Sequence, residues 1–215
     1  MSDPRVYLDA LEQDALTELV NIGVSRAAAS LRKMIGHQVL LSVPALEVVS
    51  RRVAATLIRE RESGDLVAVR QDFSGAFYGR ALLIFPEANS LALVRAVTGD
   101  ELDEEGVVEM EDEALSETGN VVLYGCLATM ANMLQRPLEM SLPEVMRGDG
   151  QLLFELEETN GETGVVLFLY INFSVSGRDI RGYIAMLMDL PSIDALKVLI
   201  AEFLERIIGA DPDDA

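Results

Sequence analysis

Two stretches decide how this chain is read: "DALTELVNIG" at 14–23 and "EALSETGNVV" at 113–122. Each sets a glutamate three residues ahead of an asparagine, Glu18 with Asn21 and Glu117 with Asn120, inside a segment otherwise patterned as packed helix. At about 100° per residue, Asp14, Glu18 and Asn21 stand at i, i+4 and i+7 and share one narrow stripe. Leu8, Leu11, Ala15, Leu16, Leu19, Val20 and Ile22 cover the adjoining arc, which is the predicted buried face. Glu113, Glu117 and Asn120 repeat the stripe, with Ala114, Leu115, Val121 and Val122 on the apolar side. A carboxylate and a carboxamide one turn apart are therefore expected to project into solvent from a packed helix, not from a loop.

Spacing alone carries little weight, because Glu157 and Asn160 have the same separation inside the turn-rich "ELEETNGETG". The longer frame is more specific. Glu18, Asn21 and Pro44 recur as Glu117, Asn120 and Pro143 at one offset, with "SVP" (42–44) matched by "SLP" (141–143). Downstream, "SGAFYGRALLIFP" (74–86) resembles "SGRDIRGYIAMLMDLP" (176–191), and each precedes an apolar helical stretch. Self-similarity over about a hundred residues predicts an internal repeat. The halves run from about 8 to 99 and from about 111 to 208 and together form a single domain across 1–215.

Each half is expected to open with a long helix, near 8–35 and 112–135, followed by a short strand around the proline. "DLVAVRQDF" and "AFYGRALLIF" read as strands, with "QLLFELEE" and "GVVLFLYINF" as their counterparts. Short connections such as "RESGD" and "TNGETG" favour antiparallel pairing. The predicted fold class is α+β: two pseudo-twofold-related halves with an antiparallel sheet flanked by long helices.

A formal charge of −19 argues against nucleic acid and against anionic membrane surfaces as partners. The longest apolar run, "VVLFLYI" (165–171), is too short to span a bilayer, and "MSDPRVYLDA" has no signal-peptide core, so the expected location is the cytoplasm. Ten acids and no base fall between Asp100 and Glu117. That run reads as a solvated linker placing acids at a helix N-terminus, or else as a steering surface for a basic partner.

Other chemistries lack their parts. The single histidine, His37, stands just past a helix end and reads as structural. One histidine and one cysteine make no zinc set, and Cys126 reads as packing. Neither a Gly-x-Ser-x-Gly elbow nor a phosphate-binding Gly-x-x-x-x-Gly-Lys loop is present. Met130, Met133, Met140, Met186 and Met188 read as core filler.

"DALTELVNIGVSRAAASLRKMIGHQVLLSVP" (14–44) resembles the opening helix and strand of the CheC family of chemotaxis phosphatases, a group that also includes CheX and FliY. Its pattern is Asp or Ser, three residues, Glu, two residues, Asn, twenty-two residues, Pro. Asp14, Glu18, Asn21 and Pro44 match it fully. Glu117, Asn120 and Pro143 match in the second copy, where Glu113 replaces the usual Asp or Ser. Ser25-Arg26 departs from the family's usual "GN" or "GH".

The resemblance implies hydrolysis of the aspartyl phosphate on a CheY-type response regulator receiver. Asn21 and Asn120 would orient the attacking water, and Glu18 and Glu117 would dock to the receiver's active-site lysine. Asp14 and Glu113 would support docking, Glu113 less predictably because it is longer. No cofactor or metal of its own is implied, since a divalent ion (Mg) is expected to come with the receiver. The alternative is a non-catalytic signalling module that binds a receiver or the receptor deamidase CheD. FliY-like proteins carry a further C-terminal assembly domain, and the ending "GADPDDA" is expected to set this chain apart from them.

Overall fold

The computed structural model describes residues 8–36, 38–98, 103–156, 164–175 and 178–208. The first helix, α1 (Ala10–Ile35), is fixed at both ends by local chemistry. The Asp9 side chain accepts a hydrogen bond from the Glu12 backbone N–H while the Glu12 carboxylate accepts one from the Asp9 N–H, each at 2.8 Å. At the far end Gly36 adopts φ 77°, the left-handed conformation that glycine takes at least cost.

A 12-residue strand, β1 (Val39–Ser50), follows where a short one is expected. Its register against β6 (Val165–Val175) shifts by one residue between Ser42 and Ala45, at Pro44. Proline cannot donate to a ladder, so it belongs at a bulge on an edge strand, and β1 is an edge. Next comes α2 (Arg51–Arg61), over which the sequence reading makes no assignment. Ser50 caps it, and Ala54, Ala55 and Ile58 give it a narrow buried stripe. Then β2 (Leu66–Gly75), β3 (Gly79–Pro86) and α3 (Glu87–Thr98) complete the half.

The second half opens with a short helix, α4 (Glu104–Glu109), and then α5 (Glu111–Met133). No side chain caps α5. Glu111, Asp112 and Glu113 occupy its first turn, where carboxylates favour the helix dipole. The acidic run thus includes helix, and part of it is internally bonded: Arg147 lies 3.2 Å from Glu111 and 2.7 Å from Asp112. The strand around Pro143 splits into β4 (Leu138–Met140) and β5 (Glu144–Gly148).

Over its described residues, 151–156, "QLLFELEE" is not a strand. Asp149 caps a one-turn helix, α6 (Gly150–Leu153), by accepting from the N–H groups of Gln151 and Leu152. That turn drives Leu153 and Phe154 into the core, with 1% and 0% exposure. α6 packs against α2. "GVVLFLYINF" accordingly becomes β6 and takes the place of β2, not β3, while β7 (Arg178–Met188) takes the place of β3 and α7 (Leu190–Ile208) that of α3. The order helix, strand, helix, strand, strand, helix thus occurs in both halves. Residues 157–163, which include Glu157 and Asn160, together with His37 and the tail "GADPDDA" lie outside the described residues.

The seven strands among the described residues form one antiparallel sheet in the order β1-β6-β7-β3-β2-β4, with β5 also pairing with β2. The outer strand of each half pairs with the other half: β1 with β6, and β4 and β5 with β2. The larger core layer joins α1, α3, α5 and α7 to one sheet face, and a smaller one holds α2 and α6 on the other. The run "VVLFLYI" is a central strand buried on both faces from Val165 to Leu169. Leu11 is 56% exposed and Ile22 only half-buried, so the buried arc of α1 is narrower than its apolar residues suggest. No helix among the described residues is long and apolar enough to cross a membrane.

On the α2 face, Arg70 and Arg80 both donate to Asp72. Partial burial pushes the Asp72 carboxyl up, but these two guanidinium partners outweigh it and hold the group below its usual range. A depressed carboxylate stabilises the fold above its unfolded pKa, and the contribution disappears as pH falls through the folded value. Asp72→Asn should therefore lower the stability read from urea unfolding at pH 7 by a screened effect of under about 1 kcal/mol. The gap from the parent should close as the pH is taken below about 4. An equal gap at both pH values would show that the ion pairs add nothing.

Candidate functional site

The two motif helices cross on one face of the sheet. Gly23 of α1 lets the backbone of α5 come close, since a Cβ there would lie 3.0 Å from Cys126 backbone atoms, and Gly125 faces Ala27 in the same way. α1 packs over β1, and α5 over β2, β3 and the β4–β5 edge. Each motif precedes the crossing in its own helix, so the pair is carried toward opposite edges of the sheet. Leu16, Leu19, Leu31, Leu123 and Leu127 are fully buried beneath. Each such burial is worth about 2 kcal/mol, which makes the platform rigid.

All six predicted residues emerge on the outer surface of these helices. Asp14, Glu18, Glu113, Glu117 and Asn120 are exposed, and Asn21 is half-buried. Glu18, Asn21, Ile22, Ser25 and Arg26 line an open groove along α1. The corresponding stretch of α5 carries Tyr124, 57% exposed, where α1 has Ser25. Cys126 is fully buried on the inner side of α5, and burial pushes its thiol up to about 12, which removes it as a nucleophile.

Two residues beside Asn120 were not singled out by the sequence reading. Gln71, 1% exposed, reaches from β2 and donates to the Asn120 Oδ1 at 3.0 Å. The same Nε2 donates to the carbonyl oxygen of Ser141 at 3.0 Å. Ser141 is in turn tied to Asp72 by two bonds, its N–H to the Asp72 carbonyl at 2.9 Å and the Asp72 N–H to its Oγ at 3.0 Å. A signal for Gln71 did exist: it breaks the inward alternation Val67, Val69, Phe73 of β2 with a carboxamide. Leu142, 84% exposed, stands next to Ser141 on the same rim.

A cavity of about 820 Å³ lies on the opposite sheet face between α2 and α6. Arg52, Arg59, Glu62, Asp65, Asp149 and Gln151 line it, and it is remote from both asparagines. Among the described residues no three His, Cys, Asp or Glu side chains are grouped to hold a metal ion.

No family model matches the chain. A CheY-P phosphatase, CheC of Bacillus subtilis, is 24% identical over 204 residues, which span 90% of this chain and 95% of that protein. The crystal structure of Thermotoga maritima FliY superposes with a TM-score of 0.70 at 16% identity, covering 91% of this chain and 98% of that one. The chemotaxis protein CheX of Desulfovibrio desulfuricans aligns with a TM-score of 0.50 at 18% identity, over 79% of this chain and 99% of that one. The chain is thus similar along most of its length to CheC, and it shares its fold with FliY and CheX.

Proposed function

We propose that this protein dephosphorylates the aspartyl phosphate of a CheY-type receiver, using Asn21 and Asn120 at two separate sites. The observation that carries this reading is the pair of reachable carboxamides, each on a rigid packed helix with a glutamate one turn before it. An acyl phosphate is already activated, so a helper protein has little covalent work to do. It needs chiefly to hold a water in line with phosphorus and complement the charge there. A carboxamide does both, accepting from the water through oxygen and donating to a phosphoryl oxygen through nitrogen. The relative named CheY-P phosphatase supports the substrate class. In this reading the divalent ion belongs to the receiver and this chain supplies none. In this reading the two halves act as one domain, which the interleaving of their strands in the sheet supports.

Glu18 and Glu117 serve docking through a charge-assisted hydrogen bond to the receiver's lysine. Changing both to glutamine keeps shape but removes charge, and is expected to raise KM for the phosphorylated receiver about tenfold with kcat held. A fall in kcat at constant KM would assign these glutamates to the chemistry instead.

The primary test phosphorylates purified receivers from the same cell with a small phosphodonor and follows release of phosphate. Added protein is expected to accelerate the loss at catalytic ratios. Binding without acceleration for every receiver would leave a docking module and overturn the phosphatase.

A further inference from the structure

Asn21 and Asn120 are not held alike. The carbonyl of Ser141 can only accept a hydrogen bond, so the group of Gln71 that faces it must be the NH2. That nitrogen has a second proton, and Asn120 lies on it at the same 3.0 Å. The side chain of Asn120 must therefore turn its oxygen inward to accept, which leaves its NH2 facing out. With Ser141 clamped to Asp72, the orientation is set from the strand outward. Among the described residues no equivalent bond holds Asn21. The side chains of β6 on that sheet face are Val165, Leu167, Leu169 and Ile171, all apolar, and Asn21 makes no side-chain hydrogen bond among the described residues.

Resting on the phosphatase reading above, we propose that Gln71 is a positioning residue for Asn120 and makes the two sites unequal. At the second site the carboxamide is arranged before a receiver docks. Its NH2 points at the phosphoryl oxygen, and one lone pair remains for the attacking water. At the first site Asn21 must select its rotamer after docking, at an entropic cost paid in each encounter. The second motif is the looser match in sequence, through Glu113, yet it holds the anchored asparagine.

The test separates the sites. In an Asn21→Ala background, which leaves only the second site, Gln71→Leu should lower kcat about fivefold, the worth of one neutral hydrogen bond, with KM unchanged. In an Asn120→Ala background the same substitution has nothing to act through and should not change the remaining rate. Gln71→Met, which keeps length and loses the donor, replaces Gln71→Leu if the latter does not fold. In the unmodified protein, ¹⁵N relaxation of the side-chain amides should find Asn120 restricted and Asn21 mobile. Equal mobility, equal loss in both backgrounds, or no loss in the Asn21→Ala background would each overturn the assignment. If neither asparagine substitution alters receiver dephosphorylation, the phosphatase reading fails instead, and the relaxation contrast still decides whether Gln71 holds Asn120.

Discussion

Replacing both asparagines, Asn21→Ala with Asn120→Ala, is expected to slow accelerated phosphate loss from a receiver by about a hundredfold or more. Each motif sits on its own helix surface, so either single change leaves the other site working and the loss is partial. If Gln71 arranges its neighbour as inferred, Asn120→Ala costs more rate than Asn21→Ala. Stability should respond in the same order and only slightly. Among the described residues the Asn21 side chain makes no hydrogen bond, whereas losing Asn120 leaves one Gln71 proton buried without its acceptor. That costs about 1 kcal/mol, against a total stability on the order of 5–15 kcal/mol. Urea midpoints measured beside turnover keep the two effects apart. A double variant that works as fast as the parent would remove both residues from the chemistry.

The second large effect concerns the seat of that asparagine. A Cβ added to Gly119 would stand 2.4 Å from both Cβ and Cγ1 of Val69, and 2.7 Å from its Cγ2. Val69 has no room to yield. It is 1% exposed, its β-branched side chain is stiff, and its strand is paired on both sides, to β3 and to β5. Gly119→Ala is thus expected to destabilise by roughly 2–3 kcal/mol, because overpacking outweighs the gain of about 1 kcal/mol in helix propensity. Denaturant unfolding would read this as a lower midpoint at an unchanged slope. Val69→Ala removes the two methyls in the way, so the double variant should recover part of the loss, a coupling that a cycle of four proteins measures. A Gly119→Ala protein as stable as the parent would mean that α5 does not rest on β2 this closely. Since Asn120 is the next residue, a displaced α5 would also weaken the second site.

The local rules of the chain made much of this fold legible. Apolar runs bounded by turn signals marked β2 and β3, and the doubled Glu-x-x-Asn-to-Pro frame marked the helix faces that carry the candidate site. Where reading failed, nearby residues gave an ambiguous signal. "QLLF" is apolar enough for a strand, and only the Asp149 cap together with a core place for Phe154 makes it a turn of helix. "RRVAATLIRER" exposes most of its length, so its narrow Ala54–Ala55–Ile58 stripe became meaningful only with a sheet face beneath it. Leu11 reads as core from its spacing but stands in solvent, because the neighbouring elements do not extend over it.

The sequence by itself determined that Glu18, Asn21, Glu117 and Asn120 share polar stripes on two packed helices, since side-chain direction along a helix follows from its 3.6-residue turn. Only the tertiary structure decided which partner strand each half would use, and therefore that Gln71, 49 positions away, would lie under Asn120 while apolar residues line the corresponding face of β6. Hydrogen bonds between distant segments depend on register and crossing geometry, and no periodicity within one segment encodes them.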